Sequence, residues 1–322
     1  MHHPSRFSVA PMMDLTDRHA RYLLRLISKR ALLYTEMITV DALLHGDRDR
    51  LLAYNATEHP LALQLGGSDP VKLAECCKIA EQAGFDEVNL NVGCPSDRVQ
   101  SGQIGACLML VPDTVARCFG AMQEACNIPV TVKCRLGVDQ QETHDTLPNF
   151  IETVHNAGCA SFSVHARKAW LKGLSPKQNR DVPPLDYELV YDIKRQFSNL
   201  QIIINGGIDS IAATCEHLQQ VDGVMMGRKA YYEPYTLHDV DHAVFGEPAA
   251  APTREEIFSE YLLYVEQRLA EGVALKHMSK HVLGLFHGVQ GARAFRRHIS
   301  ENAYQSDAGI DVLHNAAAKL LS

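Results

Sequence analysis

The sequence predicts an α/β fold, a (β/α)8 TIM barrel over residues 1–245 followed by a small all-helical C-terminal domain over residues 246–322. Three observations predict it. Short β-rich runs alternate with helical stretches, and there are eight such runs. Their spread over about 230 residues suits a closed barrel better than an open doubly wound sheet. After the Ala/Pro-rich segment GEPAAAPTREE (246–256) the β-rich runs stop and only helical periodicity continues. A chain of 322 residues, 46% of them hydrophobic, can bury a core of that size.

The runs follow in order. FSVAPMM (7–13), LLYTEMI (32–38), LALQLGG (61–67) and EVNLNVG (87–93) make the first half of the barrel. PVTVKCRLG (129–137), SFSVHAR (161–167), QIIINGG (201–207) and GVMMGRK (223–229) make the second. Each is a short apolar run ended by polar residues, Gly or Pro. Between them lie helices with start and stop signals. In DPVKLAECCKIAEQAG, Asp69 caps, Pro70 opens the first turn and Gly84 closes. Beyond the linker, IFSEYLLYVEQRLAEG, ALKHMSKHVLGLFHG, ARAFRRHISEN and a last stretch ending in AAAKLLS are helical.

Composition excludes several classes. No apolar run approaches the roughly 18–20 residues that span a bilayer. The segment MHHPSRFSVAPMM lacks the long apolar core of a signal peptide, so a cytoplasmic address is expected. Nine cysteines with no CxxC pair suit buried thiols plus one reactive thiol, not a disulfide framework or a zinc site. The formal charge of −7 lies on the first part of the chain, since the stretch from Arg254 onward carries eight Lys/Arg and eight Asp/Glu. HMSKH (277–281) pairs two histidines at i, i+4 but lacks a zincin Glu and a third ligand. It is expected on a solvated helix face, and no metal is assigned.

In a barrel of this kind chemistry sits at the C-terminal ends of the strands. The residues ending the runs are Pro11, Met12 and Met13; Gln64; Asn91 and Cys94; Lys133 and Arg135; His165 and Arg167; Asn205, Gly206 and Gly207; Gly227 and Arg228. NGGI (205–208) and MGRKA (226–230) put glycines and backbone amides where such barrels bind phosphate, and Arg228 can add a bidentate charge. With Lys133 and His165, the rim is suited to a phosphorylated, electron-rich ring such as flavin mononucleotide.

These motifs resemble the tRNA-dihydrouridine synthase family. The likeness runs through APMMDLTD, QLGG, NLNVGCPSDRVQSGQIGACLM, VKCRLG, VHARKAWLKGLSPKQNR, NGGI and MGRKA. The loop KAWLKGLSPKQNR and the ARAFRRH helix resemble the A subfamily, which reduces uridines at positions 20 and 20a of the tRNA D-loop. The resemblance implies FMN as cofactor, NADPH as a transient reductant, and a helical tRNA-binding domain behind the catalytic barrel. It implies flavin contacts at Pro11, Met12, Met13, Gln64, Lys133, His165, Asn205, Gly206, Gly207, Gly227 and Arg228. Cys94 becomes the general acid, and Asn91 a neighbour of the target base.

Reducing the uracil C5=C6 bond takes a hydride at C6 and a proton at C5, and a thiol with a pKa near ~8.5 is mostly protonated at neutral pH. Cys94 therefore serves as acid rather than nucleophile. Pro95 stiffens its turn, while Gly93, Gly102 and Gly105 leave the following loop free to close. Cys76, Cys77 and Cys134 are expected to be buried. The target base must leave its stack, so basic residues outside the mouth are needed to hold the RNA. Arg167, Lys168, Lys172, Lys177 and Arg180 lie within fourteen positions that contain no acid, and Trp170 stacks or anchors that loop. Arg293 and Arg296 add a second patch. No DNA, membrane or obligate protein partner is expected. Two rival readings remain: a small-molecule flavin reductase or dihydropyrimidine dehydrogenase-like barrel, and a non-catalytic tRNA-binding factor.

Overall fold

A computed structural model describes residues 3–96, 103–248 and 251–320. Eight parallel staves follow one another around a barrel. They are β1 (Phe7–Val9), the interrupted pair β2 (Leu33–Tyr34) and β3 (Ile38–Thr39), β4 (Leu61–Gly66), β5 (Glu87–Val92), β6 (Val130–Arg135), β7 (Ser161–His165), β8 (Gln201–Asn205) and β9 (Gly223–Met226). The sheet order β1-β9-β8-β7-β6-β5-β4-β2 closes where the Val9 N–H donates to the Leu32 carbonyl and the Leu32 N–H to the Phe7 carbonyl, both at 3.0 Å. Because helices cover the outside and side chains fill the inside, β4 and β5 are buried along their whole length.

One expected strand is divided. LLYTEMI pairs with β4 at Leu33–Tyr34 and, across its end, at Ile38–Thr39, with the Thr35 N–H still donating to the Ala62 carbonyl after the first pairing. The Thr35 hydroxyl accepts the Gln64 N–H at 3.1 Å, a bond that would otherwise fall to a strand carbonyl. The side chain thereby interrupts the ladder next to the rim.

The main helices are α1 (Arg18–Ile27), α2 (Pro70–Gln82), α3 (Pro112–Ala125), α4 (Thr143–Asn156), α5 (Tyr187–Gln196), α6 (Ile211–His217), α7 (Arg228–Tyr232), α8 (Arg254–Ala270), α9 (Ala292–Asn302) and α10 (Asp311–Ala317). α2 begins as its sequence requires: the Asp69 carboxylate accepts from the Val71 and Lys72 N–H groups, and Gly84 takes a φ of 85°. α8 begins with a capping box between Thr253 and Glu256.

The helices after the linker pack on the barrel through α1. Tyr22 stacks on Tyr264 with ring centroids 4.0 Å apart, the His19 Nδ1 lies 2.7 Å from the Tyr264 hydroxyl, and buried Tyr261 donates to the His19 and Met278 carbonyls. His281, expected on a solvated face, is 2% exposed. Its Nε2 donates to Asp17 at 3.0 Å and its Nδ1 lies 3.1 Å from the Tyr231 hydroxyl. The other histidine of that motif, His277, is exposed, which follows from placing one side of a short helix against α1. Among the described residues no group of three or more His, Cys, Asp or Glu could hold a metal ion. Among them, too, no helix is long and apolar enough to cross a membrane.

Candidate active site

Parallel register carries the expected site residues to one end of the barrel on successive staves. Asn91 stands opposite Lys133, Arg135 opposite His165, His165 opposite Asn205, and Asn205 opposite Met225. Gln64, on β4, reaches across to Asn89 and Asn91 on β5 with amide bonds of 2.8 Å each. The Lys133 Nζ donates to Asn205 Oδ1 at 3.1 Å, and the Asn205 Nδ2 donates to the Met225 carbonyl at 2.7 Å. One amide thus ties a cation to the last two strands.

Electrostatics follow from burial. Removal from water, with Arg135 close by, brings Lys133 down to about 8. Burial and the cations Arg135, Lys133, Arg167 and Arg180 hold His165 well below its ordinary value, so its ring is neutral at pH 7. The site therefore offers a neutral imidazole beside an adjustable ammonium.

Gly206 adopts a φ of 116°, and a Cβ there would lie 2.8 Å from the His165 ring, so both backbone and space require glycine. The Tyr187 hydroxyl holds its carbonyl at 2.7 Å. Gly227 leads into α7 with nothing within 4 Å of where a Cβ would stand. That open space borders the rim at the end of β9. Pro11 is half-buried, Met12 buried and Met13 55% exposed, so only the last of the three projects into solvent.

Cys94 is half-buried and sits on a turn fixed from several sides. The Asn91 Oδ1 accepts the Gly93 N–H at 3.0 Å and the Cys94 N–H at 2.9 Å. Arg135, 3% exposed, donates from Nε to the Gly93 carbonyl at 2.9 Å, and the Ala106 N–H donates to the Cys94 carbonyl at 2.9 Å. Asn91, read from the sequence as a neighbour of the base, has its carbonyl oxygen and one amide hydrogen committed to the protein. Gly102 lies outside the described residues. Cys76, Cys77 and Cys134 are fully buried, and burial pushes the Cys134 thiol up to about 12.

The cations divide into held and exposed. Arg167 donates to the Asp181 and Pro183 carbonyls and Lys168 to the Gln141 carbonyl, so both bend back onto the chain. Arg228 forms an ion pair with Asp181, the residue just past the acid-free stretch. Lys177, Arg180 and Arg293 are exposed and Arg296 half-buried. Among the described residues none of these four is in an ion pair, whereas Arg297 is 3.7 Å from Glu301.

Two structural residues escaped the sequence reading of this loop. Asn179, fully buried, closes the loop by accepting the Trp170 N–H at 2.7 Å and donating to the Trp170 and Leu174 carbonyls. Arg135 donates from Nη1 to the Lys168 and Asn179 carbonyls, linking the basic loop to the Cys94 turn. Trp170 itself is half-buried. The only sequence signal was an Asn among cations, and a buried Asn cannot be told from a solvated one by composition.

Comparison with known proteins agrees with this architecture. Residues 8–321 match the family described as dihydrouridine synthase. A tRNA-dihydrouridine(20/20a) synthase of Vibrio vulnificus is 56% identical over 321 residues, covering 99% of this chain and 98% of that protein. The Escherichia coli protein of the same name is 53% identical over 317 residues, covering 98% of this chain and 92% of that protein. A solved structure of morphinone reductase superposes with a TM-score of 0.53 at 13% identity, over 78% of this chain and 88% of that chain, a likeness of fold alone. With a match along nearly its whole length and relatives more than half identical, the chain belongs to the dihydrouridine synthase family.

Proposed function

We propose that this protein reduces the C5=C6 bond of uridine in tRNA to 5,6-dihydrouridine, at positions 20 and 20a of the D-loop. One observation carries the reading: a half-buried thiol, Cys94, is held by Asn91 and Arg135 at the mouth of a barrel whose neighbouring staves present Lys133 and His165. The related synthases of Vibrio vulnificus and Escherichia coli, named for tRNA and positions 20/20a, support the substrate.

The residues fit FMN. Lys133 and Arg228 can meet its anionic parts, the open side of Gly227 allows close backbone approach, and Pro11, Met12, Met13, Gln64, His165, Asn205, Gly206 and Gly207 lie at the same end of the barrel. For Arg228 this requires exchanging its exposed Asp181 partner for phosphate, a small loss for a solvent-screened pair. FMN held there and reduced by NADPH would supply the hydride that uracil C6 needs. The chain's own part is acid catalysis. Cys94 Sγ gives its proton to C5, and neutral His165 leaves that proton transfer free of a competing imidazolium. Arg135 keeps the turn and the basic loop in one arrangement.

Residues 1–245 form the catalytic part in this reading and residues 246–322 the tRNA-binding part. Lys177 and Arg180 on one side and Arg293 and Arg296 on the other would hold the RNA backbone. Arg167 and Lys168, bent onto backbone carbonyls, would shape their loop and reach phosphate only by giving up those bonds. No membrane, DNA or obligate protein partner enters the reading, and a cytoplasmic setting suits it.

The test compares NADPH-dependent turnover of tRNA lacking dihydrouridine with that of free uridine. Turnover of tRNA alone is expected, and equal turnover of both would refute the reading in favour of a small-molecule reductase. A flavin-free purified protein would point instead to a non-catalytic tRNA-binding factor. Cys94→Ala is expected to retain flavin and NADPH oxidation while tRNA reduction falls by roughly 10²- to 10⁴-fold. Flavin reoxidation by tRNA at the wild-type rate in that variant would remove Cys94 from the chemistry.

A further inference from the structure

β5 sets Glu87, Asn89 and Asn91 on one face at the strand period of two, and their side chains join a continuous hydrogen-bond chain through the barrel. It begins at the turn. The Cys94 and Gly93 N–H groups donate to Asn91 Oδ1, and the Asn91 Nδ2 donates to Gln64 Oε1 at 2.8 Å. The Gln64 Nε2 donates to Asn89 Oδ1 at 2.8 Å, the Asn89 Nδ2 to Thr131 Oγ1 at 2.8 Å, and Thr131 Oγ1 to Glu87 Oε1 at 2.6 Å. Tyr34 adds a hydroxyl bond of 2.7 Å to the same carboxylate oxygen. Every donor along the chain points from the thiol turn toward Glu87.

Its two ends cannot reverse, and the middle can. Backbone N–H groups only donate, and Glu87 Oε1 accepts from both Thr131 and Tyr34, which it can do even where burial, raising its carboxyl above the ordinary value, leaves Oε2 protonated, whereas each amide and the threonine hydroxyl could serve in either sense. All six side chains are at most 8% exposed, so water cannot take over a lost bond. If the chain ran the other way, Asn91 would turn its NH2 group toward two backbone N–H groups. The Cys94 turn would then lose both bonds at once. Bonds polarised in one sense also strengthen one another in a medium that excludes water.

The geometry points to Glu87 as a positioning residue of the active site: by accepting from Thr131 and Tyr34 at the far end, it fixes the direction of the chain and so the orientation of Asn91 that holds the Cys94 turn. The effect on catalysis rests on the reading of Cys94 as proton donor. The effect on the turn does not.

The test uses the flavin-loaded enzyme and three variants. Glu87→Gln keeps the volume but introduces a donor that allows the chain to reverse. Thr131→Val cuts the chain in the middle, and Thr131→Ser keeps the hydroxyl link. Alkylation of Cys94 by iodoacetamide, followed peptide by peptide with half-buried Cys215 as internal reference, reports on the turn whatever the thiol does in catalysis. Faster alkylation at Cys94 but not Cys215 is expected in Glu87→Gln and Thr131→Val. With it should come a roughly 10- to 100-fold fall in kcat for tRNA at unchanged KM and unchanged flavin reduction by NADPH, and Thr131→Ser should restore both. Wild-type Cys94 alkylation in folded Glu87→Gln and Thr131→Val would overturn the proposal, as would a loss in Thr131→Val that Thr131→Ser fails to restore. Altered alkylation with unaltered tRNA turnover would uphold the positioning role of Glu87 and refute Cys94 as the acid.

Discussion

Lys133 combines burial with a hydrogen bond to Asn205, and its depressed value of about 8 makes the charge of the site depend on pH close to neutrality. Below that value the ammonium is present, and above it the nitrogen is neutral. A phosphate monoester keeps its full charge across this range because its second pKa is near ~6. FMN affinity of the apoprotein is therefore expected to fall as pH rises from 7 to 9. The fall should approach the roughly 1.5–3 kcal/mol typical of a hydrogen bond to a charged group. Lys133→Met should bind weakly and equally at both ends of the range. Fluorescence titration checks this, and a wild-type affinity flat across it would exclude Lys133 as a flavin contact. At this scale Lys133 and Cys94 could be named from position alone. Arg135 and Asn179 could not be given roles, because both act on backbone carbonyls that come close only after the barrel has closed.

Helix α1 shows how an element takes on a second task. Asp17 caps it, accepting from the His19 and Ala20 N–H groups, and also receives His281 and Lys280 from the helical region. Burial pushes its carboxyl up, yet the hydrogen bond and charge of His281, the Ala20 N–H and Lys280 outweigh burial and hold it well below the usual carboxylate range; burial also keeps His281 below its ordinary value, so near neutrality it serves Asp17 chiefly as a neutral N–H donor. The stability that Asp17 contributes is thus complete above about pH 5. It drains away as acid carries the solution below the ordinary aspartate value of ~3.9 toward the lower folded one. Asp17→Asn keeps a cap acceptor but not the charge. At pH 7 it should lower unfolding stability by about 1–2 kcal/mol, and its acid limb between about pH 5 and 3 should be shallower than that of the wild type. Denaturant melts at several pH values measure both, and parallel acid limbs would show that the clasp adds nothing. An Asp directly before a helical run is a cap signal that sequence can carry. The sequence does not display the clasp, since His281 lies 264 positions away and its i, i+4 partner is solvent-exposed.

For the whole molecule, two sets of cations belong to different parts of the chain: Lys177 and Arg180 on the loop after β7, and Arg293 and Arg296 on α9. Acids outnumber Lys and Arg before residue 254, so attraction of a phosphate backbone there must come from local sets of cations such as these. With α8 packed on α1, two sets on different parts of the chain would fix how the tRNA is turned and which uridine reaches Cys94. Lys177→Ala/Arg180→Ala and Arg293→Ala/Arg296→Ala should each weaken tRNA binding. Each should also flatten its log-log salt dependence by about one unit of slope for every phosphate left without its cation, with flavin content and NADPH oxidation unchanged. Wild-type affinity and slope in both double variants would mean that the RNA approaches by another face.

The sequence by itself determined the barrel and the end at which its polar strand-end residues gather. Those features rest on local periodicity and on a parallel register that brings strand ends together whatever the helices do. It also separated Cys94 from the thiols that end in the core, because Cys94 alone follows a strand and precedes a proline in a glycine-rich loop. Only tertiary structure decided which polar groups remain for a ligand. Asn91, Arg167, Lys168 and Arg228 are all polar strand-end or loop residues, and each already has a partner within the chain. Only the folded structure shows that the Thr35 hydroxyl divides a strand and that Asn91, Gln64, Asn89 and Thr131 all donate in one direction, toward Glu87. A hydrogen bond depends on distance and orientation between groups far apart in sequence, and neither exists until the chain has packed.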